Sequence, residues 1–125
     1  FSQFESYLGV GKWRDESQAP GPPWGRTKPS LNVMACFDSG GQGIAMFSPC
    51  ATEAWNFGPV GKSNSSDPAA SDCVHAAPIA KVKLGPKSKL SYRYWIVVGS
   101  RESIETSIDV LLKKYSTERL TLENP

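Results

Sequence analysis

The sequence predicts a mainly β protein, an antiparallel β-sandwich built from hairpins and closed by one C-terminal amphipathic helix. Three observations predict it. Residues 31–37 and 89–99 alternate at period two, the pattern of strands. Glycine and proline, 11 and 10 in 125 residues, cluster between the apolar runs as turn punctuation. From Ile104 to Tyr115 the apolar period switches to that of a helix.

Taken in chain order, residues 1–29 read as a packed loop region. Phe1 to Leu8 can form one short element, after which Gly9, Gly11, Pro20, Gly21, Pro22, Pro23, Gly25 and Pro29 forbid long regular structure. Trp13 and Trp24 lie in the same stretch, and a disordered linker seldom carries two tryptophans.

Residues 30–100 read as antiparallel strands. Leu31, Val33, Ala35 and Phe37 share one face of a strand, Asp38-Ser-Gly-Gly supplies a turn, and residues 43–48 return as its partner until Pro49. Residues 50–75 are rich in turn residues, and so long an irregular stretch is often functional. Residues 78–84 and 89–99, joined by Gly85-Pro-Lys-Ser, are expected to form a second hairpin. On its second strand Leu90, Tyr92, Tyr94, Ile96 and Val98 share one face. The other face also turns apolar, so the C-terminal half is expected to be covered on both sides.

A helix is expected over 101–116. Ser100 can cap it, Glu102 and Glu105 suit its N-terminal end, and Lys113 and Lys114 suit its C-terminal end. Ile104, Ile108, Leu111, Leu112 and Tyr115 make one buried stripe. Glu118 to Leu122 is expected to add a last short strand.

Composition narrows the function classes. With 39% hydrophobic and 21% charged residues the chain can build a core and stay soluble. Its net charge of +2 is scattered, without the basic stripe of a nucleic-acid binder. The longest apolar run, Trp95-Ile-Val-Val, falls far short of the roughly 20 residues of a membrane helix. Neither nucleic acid nor membrane is expected as a partner, and no pattern calls for a cofactor. The chain opens on Phe1 with no charged-then-apolar leader, which reads as a processed form, an excised domain or part of a longer product.

Three cysteines, Cys36, Cys50 and Cys73, cannot all pair with one another. Cys36 lies in an apolar strand and reads as a small hydrophobe. A Cys50–Cys73 bridge and three free thiols are both compatible with the spacing. The cysteines and His75 lack the close pairs of a zinc site, so no metal is expected. Cys73 and His75 share one side of a strand but carry none of the local signatures of thiol enzymes. Gly40-Gly-Gln-Gly lies in a hairpin turn with no helix after it and is not a phosphate loop. Asn64-Ser-Ser matches a glycosylation sequon, a pattern common by chance.

The hairpin Val-Met-Ala-Cys-Phe-Asp-Ser-Gly-Gly-Gln-Gly-Ile-Ala-Met-Phe-Ser-Pro, the Trp55-Asn-Phe-Gly loop, and the Tyr-Arg-Tyr-Trp-Ile-Val-Val-Gly-Ser strand running into a helix together resemble the C-terminal half of galactose-mutarotase-like β-sandwich proteins. The similar stretch covers most of the chain after residue 29. The resemblance implies a half-supersandwich and a carbohydrate-associated role. Such proteins are usually about twice this length, so it also implies that open sheet edges are met by a missing N-terminal half or by a homo-oligomer, since an uncovered edge invites aggregation. Sugar epimerases of that superfamily use a histidine acid and a glutamate base. The resemblance carries those roles to His75 and Glu53, although the family normally shows more than one histidine. A lone histidine is more often a hydrogen-bonding cap than an acid.

The residues themselves suggest where a sugar or oligosaccharide would bind. Sugar rings present apolar C–H faces that match flat aromatic rings, while arginine and asparagine bind hydroxyls. Trp13 with Arg14, Trp24 with Arg26, and Trp55 with Asn56 each pair the two in Gly/Pro-rich surroundings. The competing role for these tryptophans is to plug the ends of the sandwich. The alternative function is a protein-interaction module completed by homodimerisation.

Overall fold

A computed structural model describes residues 3–15, 25–27, 30–51, 53–56, 77–79 and 82–125. The protein is mainly β and sandwich-like, with antiparallel strands and one C-terminal helix. The strands are β1 (Gln3–Gly9), β2 (Lys12–Asp15), β3 (Gly25–Thr27), β4 (Val33–Phe37), β5 (Gln42–Phe47), β6 (Glu53–Asn56), β7 (Ala77–Ile79), β8 (Lys89–Ser91), β9 (Trp95–Ser100) and β10 (Thr121–Glu123). The helix α1 spans Arg101–Tyr115. A five-stranded sheet has the order β2-β1-β4-β5-β9, a three-stranded sheet the order β3-β6-β7, and β8 pairs with β10.

The stretch expected to be loop up to residue 29 therefore contains the β1–β2 hairpin and β3. Glycine density misleads there because two glycines serve the turn itself. Gly9 and Gly11 have φ of 92° and 69°, and Val10 between them is held at 53°, a left-handed conformation that is strained for a β-branched residue.

The β4–β5 hairpin forms as expected, from Val33 opposite Phe47 to Phe37 opposite Gly43. Asp38 closes its loop by accepting from the N–H groups of Gly40 and Gln42 at 2.9 Å. Its core face lies under α1. Tyr7, Val33, Ala35, Phe37, Ala45 and Phe47 from the sheet meet Ile104 and Ile108 from the helix, all buried, with Leu111, Leu112 and Tyr115 packed alongside. Ser100 caps α1 by accepting from the Ser103 N–H at 3.2 Å. Glu105 and Asp109, one turn apart on α1, accept the Trp13 indole N–H and the Tyr7 hydroxyl, each at 2.7 Å. Arg101 donates to both oxygens of Glu5. The first three turns of the helix are thus tied to β1 and β2 by polar contacts as well as by burial.

The expected hairpin of residues 78–84 with 89–99 is not what forms. The turn is present, with Ser88 N–H donating to the Gly85 carbonyl and Lys87 at φ 62°. The partners differ: β7 pairs with β6, residues 82–88 are not strand, β8 pairs with β10 and β9 pairs with β5. The long strand breaks at 92–94, where the Arg93 carbonyl accepts from the Ser48 hydroxyl instead of joining a ladder. Nor is β9 covered on both sides. Trp95 and Val97 pack on the core, whereas Ile96 and Val98 are 57% and 72% exposed. Register explains this. On the face away from the helix, Cys36, Ile44 and Val98 lie in one cross-strand row. Burial along that row falls from full at β4 to partial at β5 to little at β9, the edge strand.

Gly43 is required where it stands. A Cβ there would come 2.4 Å from the Phe37 ring and 2.5 Å from the Cys36 carbonyl oxygen. Gly43→Ala is expected to cost about 1–3 kcal/mol, as overpacking against backbone does. Urea unfolding checks this, and a midpoint equal to wild type would show that the hairpin can open without loss.

Candidate functional site

The sequence-predicted site residues fall in three places. Trp13 and Arg14 are neighbours on β2, so their side chains point to opposite faces. Trp13 is half-buried, its ring 4.7 Å from Tyr7 and edge-on to Phe37 at 5.3 Å, with its N–H engaged by Glu105. Arg26 lies opposite Trp55 and Gly25 opposite Asn56 in the β3–β6 ladder, a cross-strand register different from the expected pairs of Trp24 with Arg26 and Trp55 with Asn56. Glu53 begins β6, opposite Ile79. Trp24 and His75 lie outside the described residues, as does Cys73. Cys50 is a buried free thiol whose Sγ lies 3.8 Å from the Glu118 carbonyl oxygen. Among the described residues no three His, Cys, Asp or Glu side chains gather as a metal site, and no helix is long and apolar enough to cross a membrane.

A different group of residues forms a cleft. Ser91, Tyr92, Arg93, Glu118, Arg119 and Thr121 line a hollow of about 270 Å³ at the C-terminal end of α1. Its walls follow from the fold. Thr121 of β10 lies opposite Ser91 of β8, which brings the segment after the helix beside the break between β8 and β9. The helix ends at Ser116, whose N–H still reaches the Leu112 carbonyl, and Glu118 N–H donates to the Tyr115 carbonyl at 3.0 Å. That tight exit turns the Glu118 carboxylate toward Arg93.

Arg93 and Glu118 form a two-pronged fork, with Arg93 Nε donating to Glu118 Oε1 at 2.8 Å and Arg93 Nη2 to Oε2. The Arg93 hydrogen bonds, ahead of desolvation, lower the Glu118 carboxyl pKa from its usual value, and the same bonds raise that of the guanidinium. Aromatic rings hold the arginine in place. Its guanidinium carbon sits 4.9 Å from the Tyr115 ring and 5.2 Å from the Trp95 ring. Trp95 stacks on Tyr115 at 4.6 Å and on Phe47 at 5.4 Å, and Phe47 is fully buried. The fork at the surface is therefore anchored to the core through three rings.

Arg119 differs from Arg93. Its guanidinium donates to the neutral Glu118 carbonyl oxygen at 3.1 Å, and the residue lines the cleft. Tyr92 is 46% exposed. The cleft thus offers an aromatic ring, two hydroxyls, a fixed arginine–carboxylate pair and a second arginine. None of these six residues stood out in the sequence. The available signal was Arg93 itself, a charge inside the most strand-like run of the chain. No known protein family, curated protein or solved structure matches the chain.

Because the Glu118 pKa is lowered on folding, its stabilising effect is present above the ordinary value of 4.5 and is lost as pH falls through the lowered value. Both partners are exposed enough that the effect is small. Wild type is expected to melt above Glu118→Gln at pH 7, with the gap closing as the pH falls below 4.5. A gap independent of pH would show that the fork does not act through the carboxylate charge.

Proposed function

We propose that this chain is a carbohydrate-binding β domain, with the cleft between β8, β10 and the end of α1 as its site. The observation that carries this reading is the chemistry of the cleft wall. A sugar ring has an apolar C–H face and a rim of hydroxyls. The half-exposed Tyr92 ring matches the face. The planar guanidinium and carboxylate of Arg93 and Glu118, with the Ser91 and Thr121 hydroxyls, offer donors and acceptors to the rim. The fork is already locked by its own hydrogen bonds and by Trp95 and Tyr115, so little side-chain entropy is lost on binding. The resemblance of the β4–β5 hairpin and the β9–α1 junction to galactose-mutarotase-like proteins supports the same ligand class.

The test is thermal unfolding of the whole chain against a panel of mono- and oligosaccharides. A sugar at 100 times its dissociation constant adds about 2.7 kcal/mol of stability, a clear rise in Tm. Tyr92→Ala should fold normally, because the ring is largely outside the core, and should lose the rise. A flat panel for the wild-type chain would sink the reading.

One observation favours a second reading, a β module completed by another copy. β9 is the edge of the five-stranded sheet and exposes Ile96 and Val98 beside that edge, without a charged residue from Tyr94 to Ser100. Sedimentation equilibrium is then expected to show a dimer that Val98→Lys splits. A monomer at every concentration would remove it.

A further inference from the structure

We propose that the site takes a glycan chain of at least two residues, one sugar on Tyr92 in the cleft and the next on Tyr94 outside it. This rests on the carbohydrate reading of the cleft and deepens it. Tyr92 and Tyr94 are separated by one residue, and their rings lie side by side, with centroids 6.5 Å apart and planes tilted by 38°. Tyr92 lines the cleft, while Tyr94 lies beyond its wall. Tyr94 is 53% exposed and takes no part in the hydrophobic core, so its ring is available to a ligand beside that of Tyr92. Consecutive sugars of a glycan are rotated relative to one another, and two tilted rings in sequence suit that twist better than one flat surface would.

The backbone distinguishes this occupant from a protein strand. A strand added to the sheet would pair along β9, which begins at Trp95. Tyr92 and Tyr94 precede it, in the break where the Arg93 carbonyl is already used by Ser48. Strand addition would make no ladder contact at Tyr92 or Tyr94. A ligand that contacts the Arg93–Glu118 fork and runs outward along the surface meets them in order.

Isothermal titration of the full chain decides the matter. The probes are glucose, mannose and galactose, each beside its β-1,4-linked trisaccharide. One trisaccharide is expected to bind about tenfold tighter than its monosaccharide, the gain typical of one added aromatic contact. Tyr94→Ala should remove that gain and leave monosaccharide affinity unchanged, whereas Tyr92→Ala should weaken both. Circular dichroism melts of the variants separate a binding defect from unfolding. Equal affinity for mono- and trisaccharide, or a Tyr94→Ala variant that keeps the gain, overturns the chain inference while leaving the single-sugar cleft standing. Failure of every probe on the wild-type chain overturns both. If Tyr94→Ala abolishes concentration-dependent sedimentation and changes no sugar titration, the face is a protein contact and the inference falls.

Discussion

Burial of Ile104 and Ile108 against the middle of the five-stranded sheet is the contact on which the rest depends. Both side chains are fully buried, and each would leave a cavity costing several kcal/mol if cut back. Because α1 starts directly from the edge strand β9 and lies back across β5, β4 and β1, it holds the order of the sheet as well as covering it. Its two ends then do different things. The N-terminal half is fastened to β1 and β2 by Arg101–Glu5, Trp13–Glu105 and Tyr7–Asp109. Burial also raises the Tyr7 phenol pKa above the ordinary value of 10.0, so the hydroxyl keeps the proton it donates to Asp109 at neutral pH.

The C-terminal half builds the surface. Tyr115 carries the stack that begins at Phe47 and passes through Trp95, and Arg93 lies against its outer rings. The next residues, Glu118 and Arg119, reach the cleft because the helix ends abruptly. A buried aromatic and an exposed ion pair are thereby parts of one rigid column. The fork therefore keeps its geometry without a partner molecule, unlike an ion pair on a flexible surface.

Trp13 shows how an aromatic beside an arginine can be a sound signal with a different outcome. Its ring is taken by Tyr7 and Phe37 and its N–H by Glu105, and strand alternation sends Arg14 the other way. Arg26 and Trp55, by contrast, are far apart in the sequence and come opposite each other only through the β3–β6 ladder. The cleft residues were invisible for a related reason. Arg93 and Glu118 are ordinary surface types, and the helix between them conceals their proximity until its exit is known.

What the sequence by itself determined is local: the mainly antiparallel β class, the β4–β5 hairpin with its Asp38 turn, the Ser100 cap and the buried stripe of α1. Each is encoded within a few residues, by period, by turn chemistry or by a side chain reaching its own neighbours. Tertiary structure decided the partners. Period two states that Trp95 and Val97 face one way and Ile96 and Val98 the other, but not which face meets the core. β5 on one side and α1 above made that choice. It also decided that the run from Lys89 to Gly99 would be divided between β10 and β5, because pairing depends on which strands the whole fold brings alongside. The cleft exists at that division, where the chain leaves one partner for the other and its side chains turn to Glu118 and to solvent.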